Sequence, residues 1–259
     1  MSNDTILITG ASDGIGAVYA DRFARRGANL ILVARRADRL AALAERLRGE
    51  TGVSVETIAA NLADAGDLAR VEARLRDDDA ITGLVNNAGI AGEQAFVETD
   101  PAYLTGMIGL NILAVTRLSR AIAPRLAAKG AGTIVNITSV TALMPDGFTA
   151  VYPATKAYVL AFTEALQVEL GSKGVSVQAV LPGITRTPIW TQEQIAAIPP
   201  EMVMDVEVMV DAALAGLDMG EAITIPALPD RGDLDAYLAA RGALRPNLSL
   251  RDAAARYRG

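Results

Sequence analysis

Tyr152 and Lys156 stand four residues apart in the stretch Val151-Tyr-Pro-Ala-Thr-Lys156, in a chain of 259 residues that holds three lysines and neither histidine nor cysteine. The missing residue types exclude much. Histidine acid/base chemistry and serine–histidine nucleophilic catalysis are out. Thiolates and disulfides are out. Zinc and most transition metals lose their usual ligands, so no metal site is expected. Proton transfer falls to Tyr, Lys, Asp and Glu. At i and i+4 on a helix, Tyr152 and Lys156 share one face. Pro153 between them suits a first helical turn, where a missing N–H costs little.

Such a pair needs elements that bring other polar groups to it. Short aliphatic or β-branched runs at 5–9, 29–34, 53–58, 83–86, 133–138, 175–181 and 222–226 read as strands. Between them, 14–26, 36–48, 66–76, 102–128, 157–171 and 206–217 carry apolar residues at helical spacing. This alternation predicts an α/β fold: a parallel sheet covered by helices on both faces. No composition break or low-complexity linker divides the chain, and one domain is the simplest organisation. In an open α/β sheet, ligands bind at the carboxyl edge of the strands. Asn86-Asn87-Ala88-Gly89, Ser139 and Pro182-Gly183 all close predicted strands and so fall at that edge. Asn111 lies in a long apolar helical segment, where a polar amide needs a partner.

The first strand runs into Thr9-Gly10-Ala-Ser12-Asp13-Gly14-Ile15-Gly16 and then a helix. Glycines permit a tight turn whose backbone N–H groups can approach a pyrophosphate at a helix N-terminus. Arg35 and Arg36 close the second strand, about 20 residues past Gly16, where an acidic residue would bind the ribose diol of NAD. Two arginines there suit a 2′-phosphate instead and favour NADP(H) over NAD(H). Asp13 is a poor neighbour for a phosphate.

Together, Thr9-Gly10-x-x-x-Gly14-Ile15-Gly16, Asn86-Asn87-Ala88-Gly89, Asn111, Ser139, Tyr152-x-x-x-Lys156 and Pro182-Gly183-x-x-x-Thr187 resemble the short-chain dehydrogenase/reductase family, in order over about residues 5 to 226. The resemblance implies a single Rossmann-type doubly wound domain with a seven-stranded parallel sheet, NAD(P) binding, and interconversion of carbonyl and alcohol. It implies Tyr152 as acid/base, with Ser139 orienting the substrate oxygen. Lys156 would hold the nicotinamide ribose and, as a nearby ammonium, lower the phenol from its ordinary value near 10. Asn111 would hold a relay water. Gly10, Ser12, Asp13, Gly14, Ile15, Gly16, Arg35, Arg36, Asn61, Leu62, Asn87, Ala88, Gly89, Tyr152, Lys156, Pro182, Gly183, Ile184 and Thr187 would contact the cofactor. Asn61 stands where the family commonly has an Asp on the adenine; its side-chain carbonyl can accept the same bond. The chain departs from the family's fatty-acid-synthesis reductases at its C-terminus, where a tail, 227–259, follows the Rossmann domain (1–226) as part of the same domain.

The segments after the strand ends carry Met144, Phe148, Ile189 and Trp190, an apolar to aromatic substrate pocket, and 185–200 resembles the family's substrate lid. Arg186 could bind a substrate carboxylate, but a solvent-facing role fits it better. The reading is an NADP(H)-dependent oxidoreductase acting on a small or medium, mostly apolar ketone or aldehyde. An NAD(P)-linked dehydrogenase of a hydroxy acid or sugar alcohol, and a non-catalytic dinucleotide-binding regulator, stay open. A net charge of −6 and a pI near 4.8 disfavour nucleic acid and anionic membrane surfaces. No run approaches about 18 uninterrupted apolar residues, so no membrane span is expected. The N-terminal apolar run is short, lacks a basic leader and enters the glycine turn, so it reads as a strand and the protein as cytoplasmic. The 102–128 and 152–171 helices carry apolar residues nearly all round, which suggests a homodimer or homotetramer built through them.

Overall fold

Successive residues of a strand point to opposite faces, and here both faces receive apolar side chains. In the computed structural model, Ile6, Ile8, Leu30 and Leu32 enter one core cluster, while Leu7, Ile31 and Val33 between them enter the other. The structure describes residues 4–92, 94–146 and 149–258. Each core is closed by helices, and this is why the sheet is covered on both sides.

The strands are β1 (Thr5–Thr9), β2 (Asn29–Ala34), β3 (Val55–Ala59), β4 (Ile81–Asn86), β5 (Gly132–Ile137), β6 (Val175–Val180), the short pair β7 (Thr185–Arg186) and β8 (Met204–Asp205), and β9 (Ile223–Thr224). Seven form one parallel sheet in the order β3-β2-β1-β4-β5-β6-β9; β7 and β8 pair separately. The order reverses between β1 and β4, the switch point at which such sheets open a crevice.

The first core is closed by α1 (Gly14–Arg25), α2 (Ala37–Thr51) and α8 (Val206–Asp218), through side chains such as Phe23, Leu40, Leu47, Met209 and Leu214. The second is closed by α3 (Ala65–Asp77), α5 (Val115–Lys129) and α6 (Val151–Gly171), through Leu68, Leu75, Leu118, Ile122 and Leu170. A short helix α4 (Pro101–Ile108) leads to α5 through a π-helical turn, Gly109–Ala114. The run Pro101–Lys129 is apolar enough, by length and composition, to cross a bilayer. The physical source of its composition is an inner face of Leu118, Ile122 and Leu126 packed in the core. Between β7 and β8 the chain forms α7 (Gln192–Ala196), which opens with a capping box of Thr191 and Gln194.

The chain divides into two compact units, residues 1–226 and 227–259. The second contains α9 (Arg231–Ala243), capped by Asp230.

Candidate active site

The carboxyl ends of the strands line a cleft of ≈ 590 Å³, within the range of ligand pockets. The glycine turn after β1 forms one wall. Gly14 adopts φ +52, which suits glycine. At Gly16 a Cβ would collide with the Gly10 carbonyl oxygen and lie 2.6 Å from Asn87 Nδ2. The turn is held by its neighbours. Asn87 Nδ2 donates to Thr9 O at 3.0 Å and Gly10 O at 3.2 Å. The Thr9 hydroxyl accepts from the backbone N–H of Asn87 and Ala88 and donates to Val85 O.

The sequence-named residues Gly10, Ser12, Asp13, Gly14, Ile15, Arg35, Arg36, Asn61, Leu62, Asn87, Ala88, Gly89, Ser139, Tyr152, Lys156, Pro182, Gly183, Ile184, Thr187, Ile189 and Trp190 all line this cleft. Others do not. Gly16 is buried behind the turn, where its lack of a side chain lets the turn close. Met144 is 66% exposed and outside the lining. Its segment makes a short 3₁₀ turn, Val140–Ala142, that carries it outward. Phe148 lies outside the described residues. Arg186 is exposed and paired with Asp205 at 3.2 Å, away from the cleft lining.

Asn111 sits beneath the cleft, 1% exposed, within the π-helical turn. Its amide exchanges two bonds with the backbone of Ile90, Oδ1 accepting from N–H at 3.0 Å and Nδ2 donating to the carbonyl at 2.9 Å. Nδ2 also donates to Thr155 Oγ1 at 3.1 Å. Asn111 thereby ties the segment after β4 to α6. A Cβ on Gly89 would lie 3.2 Å from Asn111 Oδ1 and 3.6 Å from Lys156 Nζ, so this glycine leaves the space between them clear.

Lys156 is 6% exposed; its Nζ donates to Ile137 O at 3.0 Å. Its backbone carbonyl accepts from Thr138 Oγ1 at 2.7 Å, which pins α6 to the end of β5. Burial lowers the ammonium to about 8, so it stays mostly protonated at neutral pH. Ser139 caps its own turn by accepting from the Thr141 N–H at 3.2 Å, which leaves its O–H to donate toward the Tyr152 phenol.

The Tyr152 phenol is pushed above its ordinary value by burial, with a hydrogen bond to Ser139 pulling it partly back. Burial thus outweighs the lowering expected from Lys156, whose ammonium is bonded to Ile137 O and stands over the phenol ring, 5.7 Å from its centroid. Tyr158, two positions past the lysine, bonds Thr116 through its hydroxyl and stacks on Phe162.

At the rim, Asp13 pairs with Arg36, and with Arg39 at 3.1 Å. Arg35 makes no hydrogen bond or ion pair among the described residues. Asn61 Oδ1 accepts from Ala63 N–H at 3.3 Å and keeps a second lone pair.

Sequence reasoning quoted Thr9 only as the start of the glycine motif, with no role of its own, and assigned no role to Thr138 or Thr149. The first two are strand-end hydroxyls that brace the site. Thr149 Oγ1 bonds Gly92 O at 3.1 Å across the cleft wall. A hydroxyl at a strand end was the available signal for the first two; Thr149 carried none.

The donor set fits a dinucleotide. A glycine turn opens a helix N-terminus, a positive rim lies at one end, and a buried ammonium beside a neutral phenol lies at the other. Among known proteins, residues 4–196 match the family model described as short chain dehydrogenase. The structure resembles a "Short-chain dehydrogenase from Sphingobium yanoikuyae in complex with NADPH", at TM-score 0.92 and 49% identity over 98% of this chain and 100% of that one. It also resembles a "bulky-bulky ketone specific alcohol dehydrogenase from Comamonas testosteroni", at TM-score 0.92 and 47% identity over 99% of each chain. A "Very-long-chain 3-oxoacyl-CoA reductase-A" of Danio rerio is 35% identical over 70% of this chain, and the match spans 58% of that enzyme's length. With the glycine turn, the serine, the tyrosine–lysine pair and the π-turn asparagine all assembled on this sheet, the chain belongs to the short-chain dehydrogenase family of oxidoreductases.

Proposed function

We propose that this protein reduces a ketone or aldehyde with apolar substituents to the alcohol, using NADPH, and runs the reverse reaction with the alcohol. One observation carries the reading: Ser139, Tyr152 and Lys156 share a single cleft with the glycine turn and the arginine rim. Its other walls near Ser139 are supplied by Ile90, Val140, Ile184, Ile189 and Trp190. The NADPH complex and the bulky-ketone enzyme among its structural relatives support cofactor and substrate class.

The nicotinamide supplies hydride. The chain's own groups handle position and protons. The backbone N–H groups at the start of α1 hold pyrophosphate, and Arg35 and Arg36 hold the 2′-phosphate. Pro182, Gly183, Ile184 and Thr187 frame the nicotinamide, and Lys156 holds its ribose. The Ser139 O–H turns from the Tyr152 phenol to donate to the substrate oxygen. The Tyr152 phenol, kept protonated by burial, gives its proton to that oxygen as negative charge develops, which is the reductive direction. The phenolate left behind is stabilised by the Lys156 ammonium. Lys156 then passes a proton to the phenolate and recovers it from solvent through a relay held at Asn111.

The segment between β7 and β8 covers the substrate. Tyr103, Ile108, Leu113, Tyr158 and Val168 are exposed on the α4–α5 and α6 helices, and in our reading they bury against second copies in a homodimer or homotetramer; sedimentation of a Leu113→Glu variant as monomer tests it.

The functional test is NADPH oxidation by the purified chain against ketones with bulky apolar groups on both sides of the carbonyl, compared with hydroxy acids and sugar alcohols with either cofactor. Turnover confined to the second group, with NAD, contradicts the reading.

A further inference from the structure

Asp13 holds the N-cap position of α1, with extended backbone and no side-chain hydrogen bond to the helix. An aspartate at that position ordinarily accepts from the first-turn amides, as Asp64 does on α3. The Asp13 carboxylate instead reaches across the cleft rim to Arg36, and to Arg39 Nη1 at 3.1 Å. Arg36 Nη2 also donates to Ser12 Oγ at 3.0 Å. Two arginines, 36 and 39, thus meet one carboxylate.

We propose that Asp13 is a selectivity residue. Its carboxylate occupies the Arg36–Arg39 clamp as the chain's own anion. A 2′-phosphorylated dinucleotide must exchange with it, whereas an unphosphorylated one need not. The inference rests on the NADP(H) reading of the rim. The exchange is feasible because a phosphate monoester carries about −1.5 to −2 charge and three acceptor oxygens against one charge and two oxygens for the carboxylate. It is attenuated because the displaced carboxylate stays tethered to the turn, a like charge a few ångströms from the phosphate. Screened by salt, such a charge weakens binding by about three- to tenfold. Arg39, absent from the cleft lining, becomes a third arm of the clamp once Asp13 releases it.

The test is calorimetric titration of adenosine 2′,5′-bisphosphate and of 5′-AMP into the full chain and into Asp13→Asn and Arg39→Met, at fixed ionic strength. The two nucleotides differ by the 2′-phosphate alone, so their affinity ratio isolates it, and no turnover is read. Asp13→Asn raises that ratio by about three- to tenfold, and Arg39→Met lowers it by about threefold or more. A wild-type ratio well above one that Asp13→Asn leaves unchanged or lowers overturns this proposal alone. A wild-type ratio near one that neither variant moves overturns it together with the NADP(H) reading. Asp13→Asn loses no cap bond. Should it fail to fold, Arg39→Met on the exposed start of α2 decides, and an unchanged ratio there counts against the proposal.

Discussion

The two ends of the cleft treat charge in opposite ways. At the rim, Arg36 and Arg39 are about half exposed and pair with a partly exposed carboxylate. At the inner end, Lys156 is buried and donates to one backbone carbonyl, and Tyr152 beside it is held neutral. Exposed pairs are worth little and exchange partners readily. Buried groups cannot exchange, and burial shifts their protonation instead. The rim is therefore suited to choosing an anion, and the inner end to moving one proton at a fixed place.

The sharpest way to break this contrast is at the buried end. Lys156→Met should lower turnover by about 100-fold or more, yet melt at pH 7 no lower than the wild type, because it removes an amine whose folded pKa is depressed. The sign follows from that depression. Between about 8 and its ordinary 10.5 the unfolded chain binds the proton more readily than the folded one. The lysine's cost to stability is therefore fully present below about pH 8 and fades as pH rises to 10.5. Wild type should gain on Lys156→Met across that window in melting experiments. A gap that does not change with pH would contradict a desolvated ammonium.

Asn111→Leu comes next. It strips the Ile90 N–H and carbonyl of their partners and should cost about 2–4 kcal/mol in denaturant unfolding. It should also lower turnover, because the segment after β4 loses its tie to α6. Gly16→Ala places a Cβ against the Gly10 carbonyl and should cost about 1–3 kcal/mol while weakening nucleotide binding measured directly.

Smallest is Arg186→Ala. The Arg186–Asp205 pair is exposed on both sides, so its loss should change stability by at most about 1 kcal/mol. A large rise in KM would mean instead that Arg186 contacts substrate.

Much of this was legible before the structure. Strands 5–9 and 29–34 coincide with β1 and β2 because their apolar runs end at sharp signals, a glycine turn and a pair of arginines. Ser139, Tyr152 and Lys156 meet because strand-end position and helical spacing are both readable from residue order. Three things were not legible. The π-helical turn at Asn111 depends on bonds to Ile90, 21 residues earlier, and no local propensity encodes it. The raised phenol reflects how deeply α6 is set against β5, a packing outcome that residue types do not carry. Asp13's partners lie at the start of the next helix, so the sequence marked it as a cofactor contact and a poor neighbour for phosphate, without the arginines that neutralise it.

The central claim is that Tyr152 gives the proton at a site whose cofactor binding does not depend on its hydroxyl. The direct measurement is single-turnover reduction of a bulky ketone by NADPH in wild type and Tyr152→Phe, with NADPH affinity determined in parallel by fluorescence. We predict a fall in rate of about 100-fold or more, with NADPH affinity held within a few-fold. Undiminished turnover in Tyr152→Phe would contradict the account.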